Sequence, residues 1–254
     1  MSTTILDHAG TLARRHRLYG YIQSGNIGPL VLAELLPEGQ PHQYEKQLWD
    51  YKLEIPTRAV AVRLGAQEER LFEVRMAELI KDVVAFFNTC GGYVVVGVNN
   101  TPRQIVGFNR DFDCDDLIKR VRGATTHEID CHYALLDYKI GKMNKRIGLL
   151  HIPKRPDGQE PAQFLRDAPE DSHGTRAFSR YSIYLRAGSE SRPATSSADF
   201  NFLCSPGRRT ITCSEYATPT PVLDNNLGPR DPGFIRFVGR ENYLQGLWRW
   251  SRRA

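Results

Sequence analysis

Apolar residues along this chain switch between two periods, and the switch locates its centre. From Gln67 to Phe87 there is no Gly or Pro, and Leu71, Val74, Leu79 and Val83 recur at helical intervals. The spacing predicts one continuous helix with Leu79, Ile80, Val83, Val84, Phe86 and Phe87 on its apolar face. Asn88-Thr89-Cys90-Gly91-Gly92 stops that helix, because asparagine tolerates the left-handed conformation and glycine adopts it without a side-chain penalty. Tyr93 to Val96 is β-branched and aromatic and bounded by glycines, which predicts a buried strand running to Val98. Asn99 and Asn100 then place short polar side chains at the mouth of the strand. A second strand, Gln104 to Gly107, follows a turn at Thr101-Pro102-Arg103.

Upstream, residues 1–40 carry two helical patterns, Ile5 to Gln23 and Ile27 to Leu36. The first holds Arg14-Arg15-His16-Arg17, a cluster that is more often a solvated face than a nucleic-acid contact. Tyr44 to Ile55 contains a strand whose alternation puts Leu48, Asp50 and Lys52 on one side and Trp49, Tyr51 and Leu53 on the other. Downstream, Asp113 to Arg122 reads as a helix with acids at its positive end. Ala134 to Ile140 and Arg146 to Ile152 read as a hairpin whose tip, 141–145, carries Lys142 and Lys145. Tyr181 to Arg186 is a further strand, and 206–232 is a linker rich in Pro, Thr, Asn and Gly. The predicted class is α+β: a mixed β-sheet flanked by helices, holding Leu48–Leu53, Tyr93–Val98 and Tyr181–Arg186.

Composition adds limits. A length of 254 residues suits one large domain or one domain with an appendage. The net charge of +5 is compatible with a polyanionic partner and does not demand one. Five cysteines, an odd count without a CxxC pair, read as reduced thiols of a cytoplasmic protein. No apolar run approaches the roughly 20 residues that a membrane helix needs, so no membrane partner is expected.

The candidate chemistry lies on the acidic strand. Glu45 and Asp50 offer hard oxygen ligands for Mg²⁺ or Mn²⁺, and Lys52 could stabilise charge on an attacked phosphate. On spacing alone, an ordinary salt-bridge pattern on a half-exposed strand is the commoner meaning. Glu68, Glu73 and Arg75 repeat the spacing, but on a helix residues five and seven apart do not share a face, so this copy is rejected. Cys114, His127, Cys131 and His132 match no standard zinc spacing, and zinc is not expected. Arg186 beside Gly188-Ser189 could hold a phosphate.

Several of these stretches together resemble the Schlafen-type AlbA-like domain. They are Ala85-Phe86-Phe87-Asn88-Thr89-Cys90-Gly91-Gly92, Gly97-Val98-Asn99-Asn100 and Ile105-Val106-Gly107, with Glu45 to Lys52 before them and Tyr184-Leu185-Arg186-Ala187-Gly188-Ser189 after. The resemblance implies a domain over 41–205 that acts as a metal-dependent endoribonuclease on structured RNA such as tRNA. It implies catalytic roles for Glu45, Asp50, Lys52 and Asn100, a metal (Mg²⁺ or Mn²⁺) at Glu45, Asp50 and Asn99, and nucleic-acid contacts at Arg186, Lys142 and Lys145. The family's third acid is replaced by Asn99 and Asn100, which makes a non-catalytic nucleic-acid-binding or oligomerisation module the alternative. Substitution of Asp50 or Lys52 is expected to remove any nuclease activity while leaving thermal unfolding nearly unchanged. Phe237-Val-Gly-Arg-Glu241 resembles the opening of a STAND-class NTPase, with 233–254 as its truncated start. That resemblance implies a fragment of an antiphage-type defence protein, homo-oligomeric through the missing NTPase region or the domain itself.

Overall fold

The computed structural model describes residues 3–42, 47–57, 66–141 and 143–205. Its centre is the predicted helix and strand. Helix α3 (Ala66–Asn88) ends at Asn88, and strand β2 (Gly92–Val96) starts four residues later. The turn between them depends on two glycines. Gly91 has φ +70°, and a Cβ there would sit 2.7 Å from the Lys154 backbone nitrogen. At Gly92 a Cβ would lie 2.8 Å from the Leu48 carbonyl oxygen, so helix, turn and neighbouring strand approach more closely than any other residue allows.

Around β2 the sheet is mixed, in the order β1-β2-β6-β5. Strand β1 (Trp49–Lys52) runs parallel to β2, with Asp50 beside Val94 and Lys52 beside Val96. Strands β5 (His132–Ile140) and β6 (Met143–Ile152) form the predicted hairpin and pair antiparallel, β6 lying against β2. The hairpin tip is tighter than the sequence suggested: Lys145 is not in the turn but in β6, opposite Tyr138.

Alternation along the strands gives the sheet two buried faces. Val94, Val96, Leu150 and Ile152 join one apolar cluster with α3 and with α4 (Cys114–Ala124). Met76, Leu79, Ile80, Val83, Val84, Phe86 and Phe87 of α3 are all buried. Each such side chain contributes roughly 1.5–3 kcal/mol. Helix α4 is capped by Asp113, whose carboxylate accepts the Asp116 N–H.

The other face carries α1 (Thr3–Gln23) and α2 (Pro29–Leu35). Leu18, Ile22, Val31, Leu32, Leu35 and Leu36 are buried there. The Tyr93 hydroxyl donates to the Asn26 carbonyl at 2.7 Å, and the Tyr51 hydroxyl donates to that of Leu35 at 2.5 Å. The basic cluster of α1 is partly absorbed by this packing: Arg14 and Arg17 both pair with Glu34 of α2.

Two expected strands come out differently. The run Tyr93–Val98 breaks at Gly97, whose φ of +103° turns the chain out of the main sheet. Val98–Asn100 (β3) then pairs with Arg103–Ile105 (β4) around the cis Thr101–Pro102 bond. The run Tyr181–Arg186 is a strand only from Tyr184, as β7 (Tyr184–Ala187), and it pairs with β8 (Glu190–Pro193) instead of joining the main sheet. The physical reason lies at Asn88, whose amide N–H groups reach the carbonyls of Tyr184 and Ala162, both at 2.9 Å. Its carboxamide oxygen accepts the Ala162 N–H at 2.7 Å, so β7 is tied to the end of α3 rather than to a sheet edge. A final helix, α5 (Ser197–Cys204), begins with a capping box between Ser196 and Asp199. The predicted linker and the 233–254 segment lie outside the described residues, as do Glu45 and Lys142.

Candidate functional site

Asp50 and Lys52 do project from one side of β1, two residues apart, toward α3 and β7. What meets them there is a closed set of charges. Asp50 Oδ1 accepts from Arg186 Nη2 at 2.8 Å, and its Oδ2 lies 3.0 Å from Lys52 Nζ. The same ammonium is 2.7 Å from Asp82 Oδ2 on α3. Two acids and two bases therefore alternate, Arg186–Asp50–Lys52–Asp82, with no net charge. Asp50 and Asp82 are each 6% exposed and Arg186 only 2%.

Arg186 is fixed from several directions. Its backbone N–H donates to the Thr89 hydroxyl at 2.8 Å, and its Nη1 donates to Ser191 Oγ at 3.2 Å. The guanidinium carbon lies 4.7 Å from the centre of the Phe86 ring, a cation–π contact within the core. Burial alone would raise the Asp50 carboxyl, but Lys52 and then Arg186 outweigh it and hold the group below the ordinary carboxylate value. Burial would likewise favour a neutral Lys52, yet Asp82 and Asp50 keep its ammonium protonated well above lysine's usual range.

The asparagines lie close by and are engaged differently from a metal ligand pair. Asn100 Nδ2 donates to the Tyr51 carbonyl at 3.2 Å, which sets the β3 end against β1. Asn99 Oδ1 accepts from the Thr101 N–H at 3.3 Å, closing its own turn. Arg186, which beside Gly188-Ser189 could hold a phosphate, donates here to Asp50 and is buried against it. Of the hairpin lysines, Lys145 is half-buried on β6 and makes no ion pair with a described residue.

Mg²⁺ and Mn²⁺ need hard oxygens not already spent on other cations. Here both Asp50 oxygens, one Asp82 oxygen and the Asn99 oxygen are taken. Among the described residues no three His, Cys, Asp or Glu side chains gather around one point. As arranged, the described residues do not fit a divalent cation. Of the four residues weighed for zinc, Cys114 Sγ donates to the Cys131 carbonyl, His127 bonds Thr126 Oγ1, and His132 stacks on His151 at 6.0 Å. Glu73 of the rejected acid–base copy pairs with Arg120, which also pairs with Asp116.

Asp82 is the site residue that sequence reasoning missed. It lies one helical turn before Phe86, in a stretch of α3 whose neighbours Leu79, Ile80, Val83 and Val84 are all buried. A lone carboxylate among buried apolar positions demands a buried cation, and that was the available signal.

One solved structure with a similar trace is the DIP2311 protein from Corynebacterium diphtheriae, 16% identical with a TM-score of 0.41. That alignment covers 76% of this chain but only 29% of the DIP2311 chain. No curated protein matches the sequence. The sequence model of the Schlafen, AlbA_2 family matches residues 45–195, from the acidic strand through β8. That span exceeds half of the chain and contains Asp50, Lys52, Asp82, Asn88 and Arg186, and the protein belongs to the Schlafen, AlbA_2 family.

Proposed function

We propose that the protein is a nucleic-acid-binding domain that works without a metal, its acidic strand serving as a structural charge lattice. One observation carries this reading: each Asp50 oxygen is held by a cation of the chain itself, Arg186 on one side and Lys52 on the other. Family membership points to nucleic acid as the ligand class. The net charge of +5 agrees, as do Lys139, Lys145 and Arg146 on the β5–β6 hairpin, which form no ion pair with a described residue. The test is a mobility-shift assay on total RNA and on DNA in Mg²⁺, Mn²⁺ or EDTA. Retention is expected to be the same in all three, with every strand intact. Cleavage that appears with Mn²⁺ and stops with EDTA overturns the proposal.

A second reading, a metal-dependent endoribonuclease acting on structured RNA such as tRNA, rests on a different observation. The carboxylates of Asp50 and Asp82 converge on one positive charge, Lys52 Nζ, within 3.0 and 2.7 Å, and Asn100 stands beside β1. Asn100→Asp and Asn99→Asp each restore a carboxylate where the family carries its third acid, at the end of the Gly97-Val98 stretch. Under this reading at least one of them tightens Mn²⁺ binding in calorimetry and raises RNA cleavage. No change in either readout for both variants removes the reading. Both readings suit a place at the head of a STAND-class NTPase in a defence protein, suggested by Phe237 to Glu241. The full-length gene tests that placement, through the presence or absence of a phosphate-binding loop after Glu241.

A further inference from the structure

Tyr181 is in a place where a tyrosine serves no purpose of the fold. Its φ is +65°, in the left-handed region that glycine or asparagine enters more easily. Its backbone is pinned there: the N–H donates to the Phe164 carbonyl at 2.7 Å, and its own carbonyl accepts from Gln163 Nε2 at 2.8 Å. The three aromatic residues nearby do the packing. Phe164 stacks on Phe178 at 3.7 Å, and Tyr184 meets Phe164 edge-on at 5.8 Å. Tyr181 points away from them and is 60% exposed.

Arg180 lies over the exposed ring, its guanidinium carbon 4.5 Å from the ring centre. This cation has no carboxylate partner among the described residues. The nearby acids are occupied by another arginine: Arg176 pairs with Asp167 at 3.3 Å and with Glu170 at 2.7 Å. Asp167 gives Arg180 only a backbone bond, from the Arg180 N–H at 2.8 Å. The segment running alongside adds Leu165, 46% exposed, and the exposed Arg166. A flat π surface and an unneutralised guanidinium, held rigidly at the surface, match the chemistry of an unpaired nucleotide. A base stacks on either plane, and the guanidinium meets the adjoining phosphate.

We infer that Arg180 and Tyr181 form a stacking platform for an unpaired base of a single-stranded nucleic acid. The inference rests on the nucleic-acid-binding reading above and names the form of ligand that reading leaves open. Tyr181→Gly is the informative variant, because it removes the ring and relieves the backbone at once. Its thermal midpoint is expected to be equal to or above that of the parent chain. Fluorescence anisotropy with labelled single-stranded RNA is expected to show about tenfold weaker binding for Tyr181→Gly, and a smaller loss for Arg180→Ala. Tyr181→Trp keeps the affinity. A strand of the same length made of abasic sites is expected to bind parent and Tyr181→Gly equally, since it offers phosphates but no bases. Equal affinity of parent and Tyr181→Gly for base-bearing RNA overturns the inference while the nucleic-acid reading stands; that is also the outcome if the platform serves a protein partner. Failure of the parent chain to bind any RNA or DNA removes the underlying reading first, and the platform with it.

Discussion

The two faces of the β1–β2 sheet are closed by different physics. Toward α3, Asp50 and Lys52 enter a chain of buried charges whose members compensate one another. Toward α1 and α2, neutral donors reach backbone carbonyls near the ends of those helices. Tyr51 donates to Leu35, Tyr138 to Leu36 and Tyr93 to Asn26, while a His151 ring nitrogen bonds Ile22. Carbonyls at a helix C-terminus lack an intrahelical partner, so the sheet caps the helices that cover it. The contrast lies in how each face fails. A neutral bond removed costs its own share, whereas a charge removed strands its partners in a medium that cannot solvate them.

The largest expected effect follows from that contrast. Asp50→Ala leaves Arg186, 2% exposed, without its carboxylate, and should cost about 3–5 kcal/mol in urea unfolding. From sequence alone the expectation was the reverse, that the substitution spares stability. Asp50→Leu combined with Arg186→Met should recover much of the loss, since an apolar pair has no stranded charge. If the double variant is no better than Asp50→Ala, the charge lattice does not behave as a unit. On the opposite face, Tyr51→Phe loses its bond to Leu35 and the one it accepts from the His42 N–H. About 1–2 kcal/mol is expected there, and Tyr93→Phe should add a similar, independent loss when combined with it.

The smallest effects separate the faces by pH. Burial holds His42 and His151 below the ordinary imidazole value of 6.5, and the His132 ring stacked on His151 lowers His151 further. Their folded-state values lie below the unfolded ones, so the stability they contribute is full above about 6.5. It falls as the pH drops through the lowered values. Asp50 is also lowered, from an ordinary 3.8, so its contribution is full above that value and is lost only in stronger acid. Thermal melts between pH 7.5 and 5.5 should therefore show a loss that shrinks when His42 and His151 are both replaced by Gln. His127, lowered chiefly by burial and also by Arg155, supplies part of what remains. An undiminished loss in the double Gln variant would break the assignment of this window to the α1–α2 face.

Much of the frame was legible because it is local. The helix ending at Asn88, the glycine turn and the β2 strand follow from residues within one stretch, and alternation alone assigned Asp50 and Tyr51 to opposite faces. The site was legible only in part. Asp50 and Lys52 could be named from spacing, but Arg186 is 136 positions from Asp50, and periodicity carries no information about such a pair. Beside Gly188 and Ser189, Arg186 read as an anion holder because its true anion was distant in sequence. Asp82 was hidden by the helix around it: one acid among apolar neighbours barely disturbs an amphipathic pattern. The break at Gly97 was missed because the β-branched run continues through it to Val98.

Asn88 also has a consequence for time. Its side chain ties α3 to Ala162, 74 positions away, and to Tyr184, 96 away. Loops of that length close late, after α3 and the strands next to it have already paired. The carboxamide should then be absent from the folding transition state and present only after it. Asn88→Ala is expected to leave the refolding rate almost unchanged while accelerating unfolding, as stopped-flow chevrons would show. The Asn-Thr pair ahead of the double glycine would then act as a latch, governing how long the domain stays folded more than how quickly it forms.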